Sequence, residues 1–113
     1  MLPRANRLRR QRDIEKVLRR GRKFSTTCFI VRVSPVSFGR LRATVVVGLA
    51  VAKRAVVRNR LKRQIRHQFK NLILGQGRPF DIMISARREA LAKSAKARGQ
   101  ELEGVLKKSG VLI

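Results

Sequence analysis

The chain has 113 residues, 43% of them apolar, and carries 29 Lys and Arg against 6 Asp and Glu, a formal charge of +23. That length suits a single domain spanning 1–113, and the abundance of Val, Leu and Ile excludes a disordered polycation. One cysteine, Cys28, excludes an intramolecular disulfide and a cysteine metal cluster.

Residues 1–12 form a basic N-terminal arm with little periodicity, without the apolar run of a signal peptide. No stretch approaches the roughly 20 apolar residues of a membrane span. The expectation is a soluble cytoplasmic protein with no membrane role. Asp13 is placed to cap a short helix in which Ile14, Val17 and Leu18 follow i, i+3, i+4 spacing, and Gly21 suits its end. Residues 24–34, FSTTCFIVRVS, are rich in β-branched and aromatic residues and read as one strand. Thr27, Phe29, Val31 and Val33 share the parity expected to face the core. Phe24, Thr26, Cys28, Ile30 and Arg32 share the other, expected to face an opening. Residues 34–40 read as a turn. Residues 42–51, RATVVVGLAV, are almost continuously apolar and predict a central strand. A basic helix is predicted over about 57–73, then a break at Gly75, Gly77 and Pro79, then a strand over 80–86. Residues 87–108 predict a final helix with Leu91, Ala95, Leu102, Val105 and Leu106 inward, although Gly99 lies inside it. The order is α+β with a small sheet.

Carboxylates that could gather a metal are missing: the six acids are scattered, and Asp13 and Glu15 point to different sides of one helix, as do Glu101 and Glu103. His67 lies beside Arg66 on a cationic helix. It reads as a surface residue, and Cys28 as a small filler in a strand. The pair Gly75 and Gly77 is not followed by Gly-Lys-Ser/Thr and does not mark a phosphate loop.

The chemistry that is present lies on the helix. Val57, Leu61, Ile65, Phe69 and Leu72 cover about 120° of one face at about 100° per residue. Lys62 and Arg66 flank that stripe on one side and Arg60 on the other, while Arg63 points away with Asn59 and His67 nearby. No acid occurs from residue 55 to 74. Arg58, Lys62, Arg66 and Lys70 stack at i, i+4, where each like-charge pair costs about 0.2–0.5 kcal/mol. Arg58 and Arg60 also oppose the helix dipole, at about 0.3–1 kcal/mol each. A solvated helix tuned for stability would mix in Glu. The stripe holds the helix in the fold and the charges belong to phosphates outside it. Residues 1–70 hold 21 basic and 2 acidic residues, against 8 and 4 in 71–113, which places the binding surface in the first two-thirds. With five Phe and no Trp or Tyr, base stacking is not prominent, and composition puts RNA only slightly ahead of DNA.

The segment RNRLKRQIRHQF (58–69) resembles the signature of the protein subunit of bacterial ribonuclease P. VGLAVAKR (47–54) resembles the family's strand before that helix, NRLRRQRDIEKVLRRGRKF (6–24) its N-terminal segment, FDIMISAR (80–87) the strand after the helix, and LEGVLKKSGVL its tail. The likeness runs in order over nearly the whole chain. It implies an α-β-β-β-α-β-α domain with a central sheet and a left-handed β-α-β crossover, where sequence pattern alone would predict the right hand. It also implies an RNA-binding subunit of a ribonucleoprotein endonuclease. The catalytic RNA and substrate hold Mg²⁺, the RNA cleaves the 5′ leader from precursor tRNA, and no protein partner is obligatory. By position, Lys53, Arg54, Arg58, Asn59, Arg60, Lys62, Arg63 and Arg66 match RNA-binding residues, with Lys62 and Arg66 turned toward a cleft for the leader. Ile14, Leu18, Phe29, Ile30 and Arg32 match the cleft, although parity sends Phe29 to the core. Ile14 and Leu18 stand where the family commonly carries Phe, which implies apolar contact in place of stacking. Arg32 stands where an aromatic is frequent, and a guanidinium can still stack. The connection Lys53–Val57 is shorter than usual and lacks its customary Gly.

Two other classes compete. A structural RNA-binding protein, such as a ribosomal protein, would explain the charge but not the ordered signature. A stand-alone nuclease conflicts with the scattered carboxylates, so no residue of this chain is expected to be catalytic or to bind a metal.

Overall fold

Strict alternation in two short stretches decides where the sheet lies and which side of it is covered. The computed structural model describes residues 4–36, 39–73 and 78–112. In chain order these form α1 (Gln11–Arg20), β1 (Arg22–Ser25), β2 (Phe29–Pro35), β3 (Arg42–Val46), α2 (Ala55–Ile73), β4 (Phe80–Ala86) and α3 (Ala95–Lys108). Short 3₁₀ turns occupy Arg4–Asn6 and Arg88–Ala92. The strands lie in the order β1-β2-β4-β3. The β1–β2 and β2–β4 pairs are antiparallel, whereas β3 and β4 are parallel neighbours joined through α2, a β-α-β crossover.

Register sorts the side chains. Phe29, Val31 and Val33 of β2 stand opposite Ala86, Ile84 and Ile82 of β4, and Ala43 and Val45 of β3 stand opposite Ile82 and Ile84. This face meets Leu61, Ile65 and Phe69 of α2 and Leu102, Val105 and Leu106 of α3 in one core. The opposite face carries Ser34, Arg32 and Ile30 of β2 beside Asp81, Met83 and Ser85 of β4, with Arg42, Thr44 and Val46 of β3 alongside. Helix α1 packs on this second face, against β2 and β4. It buries Val17 and leaves much of the face half-exposed.

Several expectations need correction. Residues 24–34 are not one strand: Thr26–Cys28 turn the chain between β1 and β2. The Thr26 hydroxyl accepts from the Phe29 N–H at 3.0 Å, and Arg87 N–H bonds the Cys28 carbonyl at 2.7 Å. The apolar run 42–51 is not a central strand. Its strand ends at Val46 and occupies the sheet edge, while Val47 and Val51 bury themselves from the following connection. The exposed side of that edge is covered by the N-terminal segment. Arg7 bridges Ala43, Leu8 N–H bonds the Ala43 carbonyl at 2.9 Å, and the Asn6 side-chain amide bonds the Leu41 carbonyl at 2.7 Å. An unpaired edge invites unwanted pairing, and this strap blunts it. From residue 4 onward the arm is thus part of the fold, with Leu8 buried. Asp13 is not the helix cap; α1 starts after Arg10, and Asp13 sits in its first turn. The final helix begins only at Ala95, capped by Ser94, whose hydroxyl accepts from Ala97 N–H at 3.1 Å. Leu91 and Ala95 are consequently exposed rather than inward. Helix α2 starts at Ala55, and its stripe is buried at Leu61, Ile65 and Phe69 as expected, whereas Val57 and Leu72 are only half-buried. Gly75 and Gly77, and part of the turn at 34–40, lie outside the described residues.

Two polar devices hold α3 in place. Arg98, buried, donates to the Ala90 and Lys93 carbonyls at 2.9 and 2.7 Å and to Gln64 of α2 at 2.7 Å. Gly99 lets the helices approach, since a Cβ there would stand 3.1 Å from the Gln68 amide. At the other device, Glu101 receives both the Cys28 backbone N–H at 3.0 Å and its thiol at 3.1 Å. Burial pushes the Cys28 thiol up to about 11, and the Glu101 hydrogen bond and charge act in the same direction. Burial alone would raise the Glu101 carboxyl, but the bonds from Cys28 and Thr26 and the charge of Lys93 hold it below its ordinary value.

A raised thiol pKa contributes stability that is complete below the unfolded value of 9.0 and is lost as pH rises through about 11. Urea midpoints at pH 8 and pH 10.5 therefore fall further in the native chain than in Cys28→Ala; parallel curves would contradict the protonated-thiol contact.

Candidate nucleic-acid interface

Helix α2 is anchored by Leu61, Ile65 and Phe69, all essentially inaccessible, and everything else on it follows from that orientation. Lys62 and Arg66 are half-buried along one flank, whereas Arg60, Arg63 and Asn59 are exposed. Lys53 and Arg54, just before the helix, are exposed as well. Arg58 differs from the rest. Its guanidinium folds back to the carbonyls of Ala52 and Lys53, at 3.0 and 2.6 Å, and so ties the connection to the helix. Val51 N–H closes the same connection on the Gly48 carbonyl at 3.1 Å. The segment that lacks the family's customary Gly is thus ordered by an arginine of the signature itself.

Arg66 lines a cavity of about 260 Å³ with Arg7, Leu8, Arg9, Ala43, Thr44 and Val45. This cavity sits where α2, the outer edge of β3 and the N-terminal strap converge. Thr44 belongs to the half-exposed sheet face, in a row that runs Lys23, Arg32, Met83, Thr44 across all four strands. The next row reads Ser25, Ile30, Ser85, Val46. The cation pocket at the β3 edge and the open sheet face are therefore continuous.

Of the residues matched to a leader cleft, Ile30 and Arg32 lie on this open face, half-exposed. Ile14, half-buried, and Leu18, 44% exposed, lie on α1 above it. Phe29 does not join them. It is 0% exposed and points to the opposite face, into the core, as the alternation of β2 requires. Its inclusion in the cleft is corrected. Sequence reasoning missed Thr44, Met83 and the strap residues Arg7 and Arg9. The alternation of Asp81, Met83 and Ser85 against Ile82 and Ile84 would have revealed Met83; nothing local reveals that the arm folds against β3.

Helix α1 adds a second basic surface. Arg12, Lys16, Arg19 and Arg20 are exposed around a shallow groove of about 370 Å³. Its Asp13 is engaged elsewhere: Arg42 donates to Asp13 at 3.2 Å and, through Nε and Nη2, to both oxygens of Asp81 at 2.9 and 2.8 Å. The hydrogen bond from Arg42 to Asp81 raises the arginine's pKa against the opposing effect of burial. Asp81, second residue of β4, is buried in this ion pair. His67 is exposed beside Asn71, 3.3 Å from its side-chain amide. Among the described residues no group of three or more His, Cys, Asp or Glu is placed to hold a metal ion, and no helix is long and apolar enough to cross a membrane.

A small mixed sheet with a basic helix locked beneath it, an open face above it and cations along the shared rim defines a nucleic-acid-binding protein of the α+β class. The model of the family Ribonuclease P matches residues 2–110. The chain is 33% identical to a ribonuclease P protein component of a Pseudanabaena species, over 99% of this chain and 97% of that protein. It is 38% identical to the component of Shouchella clausii, over 94% and 87%. The structure of the Staphylococcus aureus RNase P protein superposes with a TM-score of 0.87 at 26% identity, covering 97% of this chain and all of that one. That of Thermotoga maritima gives 0.79 at 25%, over 90% and 96%. The chain belongs to the ribonuclease P protein family and is a protein component of that ribonucleoprotein enzyme. The ribosomal-protein alternative is not favoured.

The two kinds of signature arginine separate by stability. Arg58→Ala removes two hydrogen bonds and lowers stability by about 1–2 kcal/mol. Arg60→Ala, fully outward, changes it by less than about 0.5 kcal/mol. Urea denaturation of the two variants measures the contrast.

Proposed function

We propose that this chain binds the catalytic RNA of ribonuclease P through the outward side of α2 and holds the 5′ leader of precursor tRNA on the open sheet face. The observation that carries this reading is the geometry of α2. Its stripe is committed to the core, no acid lies on it, and its two flanks lead to different places. Arg66 lines the β3-edge cavity together with Thr44, and Lys62 lies one turn before it on the same half-buried flank, while Thr44 continues through Met83 to Arg32 across the open face. Arg60, Arg63 and Asn59 face outward, with Lys53 and Arg54 at the helix start.

The leader strand lies across the row Lys23, Arg32, Met83, Thr44, bounded by Ile14 and Leu18 of α1. Aliphatic contact and the Arg32 guanidinium take the place of aromatic stacking. Phosphate contacts position a strand without reading its sequence, so Lys62 and Arg66 add affinity and not base preference. The protein supplies no reacting group. Its carboxylates do not fit a metal: Asp13 and Asp81 are both engaged by Arg42, and Glu101 is held by Cys28. Mg²⁺ belongs to the RNA and substrate, and this chain acts by fixing both RNAs against one scaffold in the cytoplasm, without an obligatory protein partner.

Exchange of phosphate counterions makes the affinity salt-dependent. With roughly six contacts, the slope of log K against log salt is about −4 to −5. A titration from low to physiological salt reads it, and a flat line refutes the electrostatic reading.

The facial assignment is tested with two double variants. Lys62→Ala with Arg66→Ala weakens holoenzyme binding to leader-bearing precursor and spares mature tRNA. Arg60→Ala with Arg63→Ala weakens assembly with catalytic RNA instead. Each pair is expected to lose about tenfold or more, since every 1.4 kcal/mol is tenfold. Equal losses for both substrates in the Lys62/Arg66 variant would sink the assignment.

A further inference from the structure

Arg42 holds two of the six acids of this chain, and they come from different elements: Asp13 from α1 and Asp81 from the middle of the sheet. The geometry points to a positioning role. We propose that the Asp13–Arg42–Asp81 clamp fixes the height and angle of α1 over the open sheet face, and so sets leader affinity without touching the leader. The proposal rests on the reading of that face as the leader surface.

The reasons are structural and electrostatic. Asp81 is 5% exposed and receives two parallel bonds from one guanidinium, a fork that only Arg can supply. The remaining nitrogen, Nη1, reaches Asp13. Arg42 is itself on β3, in register with Asp81 on β4, so the pair is rigid before α1 is added. The third bond is what transmits that rigidity to the helix. Otherwise α1 is poorly anchored: among its residues only Val17 is buried, and its start lacks a side-chain cap. Of its cations, Lys16 lines one hollow with Arg40 and Arg42, and like charges there disfavour close approach of the helix. Asp13 is the one residue of α1 that forms an ion pair with the sheet among the described residues. Ile14, next to it, and Leu18, one turn on, are the side chains that bound the leader surface. A tilt of α1 would move both.

This role differs from one in general stability because the clamp has a rigid half and a transmitting half. Asp13→Asn keeps the Arg42–Asp81 pair and removes charge only at α1. Arg42→Lys keeps a cation but cannot bridge both carboxylates. In each holoenzyme, affinity for leader-bearing precursor falls about tenfold, within the range that coupling between two sites of a protein spans. Affinity for mature tRNA and assembly with the catalytic RNA stay unchanged. Amide hydrogen exchange in the holoenzyme accelerates within α1 while β2 and β4 remain protected. Equal losses for both substrates, or native leader affinity in both variants, overturns the proposal. If the native holoenzyme gains nothing from a leader, the reading of the open face fails, and the positioning role falls with it. Exchange rates in the variants then show separately whether the clamp holds α1 at all; unaltered rates deny that too.

Discussion

Self-repulsion governs this molecule. With 29 cations and 6 acids, any compact state gathers positive charge, and folding proceeds only if the core outweighs the repulsion. The distribution of the acids shows how little is used to neutralise the surface. Asp13 and Asp81 share Arg42, Glu101 holds Cys28, Glu89 and Glu103 pair with Arg87 and Lys107, and Glu15 accepts from Gln11. None lies on α2, and Glu15 is the single exposed acid on α1. The outward faces of both helices keep a large excess of cations, and the apolar stripe Leu61, Ile65, Phe69 holds α2 in place against their repulsion.

Much of this was legible. Strand β4 occupies the interval predicted for it, 80–86, because Phe-Asp-Ile-Met-Ile-Ser-Ala is bounded by Pro on one side and charge on the other. The stripe of α2 was legible for the same reason: a period of 3.6 with no competing pattern. The core parity of β2 was readable too, and it corrects the family-based placement of Phe29. Where alternation and resemblance disagree, alternation wins, since a register slip would turn the whole strand inside out.

What was not legible depended on partners remote in sequence. Nothing in FSTTCFIVRVS marks a turn, because neither Gly nor Pro is present. The reversal at Thr26–Cys28 is held by Glu101, 73 residues away, and by Arg87. The run 42–51 reads as a central strand because it is apolar throughout. Its continuity has another origin: Val45 faces the core from an edge strand, whereas Val47 and Val51 reach it from a connection. Periodicity cannot distinguish those two ways of being buried. The strap over that edge was equally invisible, since RANRL has no strand pattern and acquires one bridge only from Ala43.

Strand order explains why a basic helix and an open sheet face meet at one rim. With β4 between β2 and β3, the chain must cross from the sheet edge to its interior, and α2 makes that passage on the core side. Helix α3 joins it there, so both long helices cover one face and leave only the ten-residue α1 for the other. A single short helix cannot close a four-stranded face, and the remainder stays open. The end of α2's cationic flank meets that face at the β3 edge because β3 is where the crossover departs. The rim formed by Arg66, Arg9 and Thr44 is thus a consequence of topology, and the two surfaces are held at a fixed relation by the same hydrophobic stripe that keeps α2 folded.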